Sequence, residues 1–100
     1  MLLYNITIAI DVGEESRWVG WMKGEMIPFM MESKLISESR LYKVITHDDP
    51  QSASYCIQYL FESSENLSRY VSEYAPIFIQ RLKSNFPDRH AVFQTLLEEV

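Results

Sequence analysis

Apolar residues return at every second position from Leu2 to Ile10, so that Leu2, Tyr4, Ile6, Ile8 and Ile10 share one face and Leu3, Asn5, Thr7 and Ala9 the other. Strict period two is the pattern of a half-buried strand. Asp11 to Glu15 then supplies a turn and acidic residues suited to the positive end of a helix. From Arg17 to Met31 the period changes. Trp18, Trp21, Met22, Met26 and Phe29 fall, at about 100° per residue, within a stripe roughly 140° wide, enough to face a core, and the pattern meets Pro28. Ile36 to His47 reads as a weakly patterned second strand whose Glu38, Arg40 and Lys43 suit a sheet edge, where charge discourages stray pairing. HDDPQS, from His47 to Ser52, is a turn.

Ser54 to Glu62 alternates again, with Tyr55, Ile57, Tyr59 and Phe61 on one face and Ser54, Cys56, Gln58 and Leu60 on the other, as in a central strand. Ser63 or Ser64 caps a second helix whose Leu67, Tyr70, Val71, Tyr74 and Phe78 form an apolar stripe around Pro76. Asn85 to Arg89 ends it at Pro87. Ala91 to Leu97 makes a last strand, with Phe93, Thr95 and Leu97 on one side and Val92, Gln94 and Leu96 on the other.

The order βαββαβ, with a helix after the first and third strands, predicts a ferredoxin-like α+β domain over residues 1–100. The sheet is expected in the order 4-1-3-2, with both helices on the face that carries Tyr4, Ile6, Ile8, Tyr55, Ile57 and Tyr59. Met22, Met26 and Pro28 recur in the second helix as Tyr70, Tyr74 and Pro76, an internal echo of two similar halves. Two helices cover one face of such a sheet. The other carries Leu3, Ala9, Cys56, Leu60 and Val92 or Leu96 among Asn5, Thr7, Gln58 and Gln94. That face is too apolar to leave wet and polar enough for hydrogen bonds and trapped water, so it predicts a homodimer.

With 100 residues, 47% of them hydrophobic, the chain suits one domain with a real core. A net charge of -5 and the lack of a Lys/Arg cluster argue against nucleic acid or an anionic membrane as partner. MLLYNITIAID has no basic n-region, and no apolar run nears the roughly 20 residues of a membrane helix. One cysteine, Cys56, forms no internal disulfide and suits the cytoplasm.

No cluster has the spacing of a catalytic triad, a metal site or a phosphate loop, so neither a metal nor a cofactor is expected. Cys56 reads as a packed mid-strand thiol, and His47 and His90 as surface histidines without partner ligands. Asp48 and Asp49 read as turn formers before Pro50. Gly20 and Gly24 lie on the far side of the first helix, where GxxxG is a weak signal outside a membrane. Glu25 is the one acid within the apolar stripe. In a regular helix it projects between Phe29 and Trp18, poorly solvated and with a raised pKa; if the helix turns early before Pro28, it reaches water. Trp18, Met22, Tyr59 and Tyr70 would line a cleft between helices and sheet fit for a small apolar or aromatic ligand.

YNITIAID, WVGWMKGEMIP, RYVSEYAPIF and AVFQTLLE together resemble the short bacterial proteins of the DUF4286 family. The resemblance spans nearly the whole chain and implies the dimeric α+β barrel superfamily, in which cofactor-independent monooxygenases and isomerase-like proteins also occur. It implies a fold and no reaction. Where family members often read H-I-P, this chain has Met26-Ile27-Pro28, so a chemical role for that histidine would be lost here. Two function classes follow. One is a dimeric binding or structural module with an apolar cleft. The other is a cofactor-independent monooxygenase or isomerase using Glu25 as acid or base with Tyr59 or Tyr70 as hydrogen-bond donors.

Overall fold

Strand β1 (Leu2–Asp11) takes the middle of the sheet because both of its edges find partners. The computed structural model describes residues 1–87 and 90–100. Among them four strands pair in the order β2-β3-β1-β4, which is the expected order read from the other side. Here β2 is Glu38–Lys43, β3 is Ser52–Phe61 and β4 is His90–Glu98. Every pairing is antiparallel. Tyr4 lies opposite Tyr59, Ile6 opposite Ile57 and Ile8 opposite Tyr55, and all six are buried beneath the helices, as the period-two pattern requires. Strand β2 is shorter than expected, since Leu35 and Ile36 are buried ahead of it without joining the ladder.

The first helical arm runs through α1 (Glu15–Trp21), a π turn (Met22–Met26) and α2 (Ile27–Met31). The second runs through α3 (Ser64–Arg69), a π turn (Tyr70–Tyr74) and α4 (Ala75–Asn85). Ser63 caps the second arm, its hydroxyl accepting from the Asn66 N–H at 3.1 Å. The expected stop at Asn85–Arg89 is met by the end of α4 at Asn85; Asp88, Arg89 and the side chain of His90 lie outside the described residues. Among the described residues no helix is long and apolar enough to cross a membrane.

The two π turns have one cause. A proline lacks an N–H and its ring collides with the carbonyl four residues back, so a regular helix cannot run through it unchanged. In each arm the residue before the proline bonds five residues back instead: Ile27 N–H to the Met22 carbonyl, and Ala75 N–H to that of Tyr70. The sequence echo at 22/26/28 and 70/74/76 is thus a repeated device.

That wider turn corrects the helical wheel. Each residue in it advances by less than 100°, so the positions beyond lag behind the regular stripe. Met26 and Met30 move to the centre and are fully buried, while Phe29 slips to the flank and is half-buried. Glu25 leaves the stripe and is exposed; it is not held between Trp18 and Phe29. In the second arm Val71, expected in the stripe, is likewise exposed, and Phe78 and Leu82 complete the core.

A further correction concerns β4. Phe93 lies opposite Thr7, Thr95 opposite Asn5 and Leu97 opposite Leu3, which puts them on the uncovered face; Val92, Gln94 and Leu96 pair with Ile8, Ile6 and Tyr4 and lie on the helix side. Gln94 therefore does not belong with Asn5, Thr7 and Gln58. Both faces of β4 are apolar, so alternation alone assigns neither, and the register with β1 decides.

A Cβ built on Gly20 or Gly24 meets nothing within 4 Å. These glycines mark no close contact. Gly20→Ala, in the exposed face of α1, should raise stability by about 0.5–1 kcal/mol, measured by denaturant unfolding. A loss of stability would show that this face is covered.

Candidate functional site

The four residues expected to line a cleft are all within the core: Trp18, Met22 and Tyr70 are 0% exposed and Tyr59 1%. They do not surround one space. Trp18 packs on Tyr55, ring centroids 5.1 Å apart, at one end of the sheet. Tyr70 packs at the other end against Tyr4, Tyr59 and Phe61, at 5.4, 5.5 and 5.5 Å. The interior is filled by aromatic rings and methionines, the bulky and adaptable packing that sequence alone could not tell from a cleft lining.

Two polar side-chain atoms in this interior have no partner among the described residues, Trp18 Nε1 and the Tyr70 hydroxyl. Both are donors in a place where an unmet donor carries a desolvation cost. Burial, and then the neighbouring phenols of Tyr59 and Tyr4, hold the Tyr70 hydroxyl well above its ordinary pKa, and burial does the same for Tyr59 and Tyr4. All three stay protonated.

An open groove lies beside this cluster. Tyr4 forms part of its floor, Val71, Ala75, Pro76, Ile79, Gln80 and Lys83 come from the second arm, and Gln94 comes from β4; its volume is about 560 Å³. It exists because the helical arms leave β4 bare: Gln94 and Leu96 are exposed although they face the helix side.

Polar side chains gather at the opposite end. Glu15 at the start of α1 accepts from Lys43 Nζ at 2.8 Å and from the Tyr55 hydroxyl at 2.5 Å. Both donors lower the Glu15 pKa, Lys43 first, whereas Tyr55 is pushed up to about 12 by burial and by Glu15. In the loop before β3, His47 Nε2 lies 2.7 Å from Ser52 Oγ, which also reaches Asp49 Oδ2 at 3.2 Å. His47 is therefore half-buried and bonded, where the sequence suggested a surface position. Ser52, not histidine, is central in this trio, so it lacks the order of a nucleophilic triad, in which the histidine bridges the other two. The Gln51 N–H and then Ser52 hold Asp49 below its ordinary pKa, as befits a turn. Among the described residues no group of three His, Cys, Asp or Glu could hold a metal.

On the uncovered face, Cys56 Sγ donates to Asn5 Oδ1 at 2.7 Å, and Asn5 Nδ2 to Thr7 Oγ1 at 3.5 Å. Gln58 continues the row, opposite Asn5 on β1 and Arg40 on β2. Phe93 at 67% exposure, Leu97 at 46% and Tyr42 at 45% stand around these polar groups.

Comparison with protein families matches residues 1–100 to "Domain of unknown function (DUF4286)". The chain belongs to the DUF4286 family. Comparison with curated proteins returns no match. Among solved structures, this DUF4286 chain is similar to HapK from Hahella chejuensis, with a TM-score of 0.73 and 10% identity over 100% of this chain and 93% of that one. A dimeric ferredoxin-like protein from an uncultured marine organism matches with 0.67 and 10%, over 100% and 95%. SnoaB, a cofactor-independent oxygenase from Streptomyces nogalater, matches with 0.64 and 9%, over 98% and 92%. At such identities the likeness shows the fold, a ferredoxin-like α+β barrel type, and carries no reaction with it.

Tyr55→Phe should act at both ends of the pH scale. Tyr55 ionises near 10 when unfolded and near 12 when folded, so its contribution is present below 10 and lost as pH rises toward 12; the variant loses that part of the alkaline sensitivity. Carboxyl NMR should show Glu15 moving back toward 4.5, since one of the donors that lowers it is gone. An unmoved Glu15 would mean that the bond is not formed in solution. Tyr70→Phe removes a hydroxyl without a partner and should stabilise the fold by about 1 kcal/mol in urea unfolding. A clear loss of stability instead would reveal an acceptor at that hydroxyl.

Proposed function

We propose that this DUF4286 protein is a homodimeric binding module. Two copies pair the uncovered faces of their sheets, and each holds a small apolar or aromatic molecule in the groove between α4 and β4. The observation that carries the dimer is Phe93, two-thirds exposed in the middle of β4 with Leu97 and Tyr42 on the same face. A large apolar side chain so placed favours a partner surface, and the Asn5, Thr7, Cys56 and Gln58 row gives that surface hydrogen-bonding groups to fix its register. The solved neighbour described as a dimeric ferredoxin-like protein agrees with this reading. The net charge of -5 favours a partner that is not nucleic acid, and the free thiol of Cys56 suits the cytoplasm.

A second reading, a cofactor-independent oxygenase or isomerase acting on a small aromatic substrate, draws support from the description of SnoaB and from the unpartnered donors Tyr70 and Trp18. It receives less from Glu25, which stands in solvent away from the groove and the core. The binding module is the stronger reading because its surfaces are open in the fold as it stands.

Light scattering at micromolar concentration should give twice the monomer mass. Phe93→Glu should halve it, whereas Leu96→Glu, on the other face of the same strand, should not. A wild-type monomer would overturn the dimer. For the groove, 2-naphthalenemethanol should shift amide resonances of Val71, Ala75 and Ile79 saturably, and Val71→Arg should abolish those shifts while leaving the dimer mass unchanged. Shifts scattered over the surface would overturn the binding site.

A further inference from the structure

The groove over Tyr4 is graded from one end to the other. Val71, Ala75 and Ile79 follow one another at four-residue steps along the second arm and, with Tyr4 and Pro76, make an apolar wall and floor. One more step of four brings Lys83 into the lining, with Gln80 three residues before it on α4 and Gln94 contributed by the β4 side. Among the described lining residues there is an ammonium group and two amides but no carboxylate, in a chain with 14 acidic residues against 9 basic ones. The charge of this one surface runs opposite to that of the molecule. We propose that the groove takes an apolar or aromatic carboxylate, its hydrocarbon part along Tyr4, Val71, Ala75 and Ile79 and its carboxylate accepting from Lys83 Nζ and the Gln94 amide. This rests on the reading that the groove is the ligand site and adds the class of ligand.

The chemistry discriminates among ligands. An organic cation would meet Lys83 and be repelled, and a neutral apolar molecule would use the wall but leave the donors in water. A dianionic phosphate would call for several converging donors, commonly including arginine, and among the described residues the groove is lined by one cation, Lys83. Lys83 also stands in the last turn of α4, where a cation complements the helix dipole. That role affects stability and does not sort ligands by charge, so the two are separable.

The full chain, isotope-labelled, is titrated at neutral pH and low salt with naphthalene-2-carboxylate and, in parallel, with neutral 2-naphthalenemethanol. Both should shift the amides of Val71, Ala75, Ile79 and Gln94, with the carboxylate binding about threefold or more tightly, as expected of one partly solvated ion pair. High salt should narrow the difference. Lys83→Met should erase it while the neutral probe keeps its affinity and the spectrum its dispersion. Equal affinity for the two probes overturns the carboxylate assignment and leaves the groove standing as an apolar site. Saturable binding of neither overturns both. A preference for the carboxylate that survives in Lys83→Met overturns the role given to Lys83.

Discussion

Proline cannot donate a hydrogen bond, and this fold places one within each of its two helical arms. The chain keeps the arms helical by widening a single turn ahead of each proline, so that the last available N–H reaches five residues back. Which side chains enter the core follows from that adjustment. Met26 and Met30 enter beneath the first arm, Tyr70, Phe78 and Leu82 beneath the second, and Glu25 and Val71 are turned outward. Without the wider turn, a carboxylate would be held against apolar rings.

Between arms and sheet the interior is aromatic to an unusual degree. Tyr70 alone has Tyr4, Tyr59, Phe61 and Tyr74 around it, with centroids 5.4 to 6.4 Å away. Edge and tilted contacts of this kind add to the energy of burial and fix the arms on the sheet. They also leave the Tyr70 hydroxyl with rings for neighbours and no acceptor among the described residues. The open surfaces lie outside this block, on the far face of the sheet and alongside β4, and both exist because two arms are too few to cover four strands.

How far these features could be read from sequence depended on contrast. In β1 and β3 polar and apolar residues alternate sharply, so the faces of Tyr4, Ile6, Tyr55 and Ile57 were legible from period two, and the sheet order followed from the βαββαβ succession of elements. In β4, Phe93 and Leu97 compete with Val92 and Leu96 on equal terms, and the position of Gln94 was settled only by pairing with Ile6 across the sheet. For Glu25 the sequence left two outcomes open; it does reach water, but through a π turn ahead of Pro28, for which a wheel at fixed angle has no place, and not through an early end of the helix. Trp18, Met22, Tyr59 and Tyr70 were legible as residues facing inward. Whether room remained between them was not, since volume is decided by all the packed side chains together. The Glu15, Lys43 and Tyr55 network was hidden by distance, joining residues 28 and 40 positions apart.

The pairing of β1 with β4 joins Leu2 to Glu98 and Ile10 to His90, partners with both helical arms and two strands between them in the chain. Of the four strands, β1 thus comes first along the chain and has its second edge paired only when the last of them is in place. Until β4 arrives, β1 presents one bare edge, with Leu3, Asn5 and Thr7 on a face that is uncovered as well. Closing so long a loop is slow compared with forming the helical arms, which depend on near neighbours. On the ribosome, the arms and the β2–β3 hairpin can form before β4 is made, while the free edge of β1 waits for it. That interval is when this protein is most exposed to wrong edge pairing and to chaperones that recognise unpaired strands.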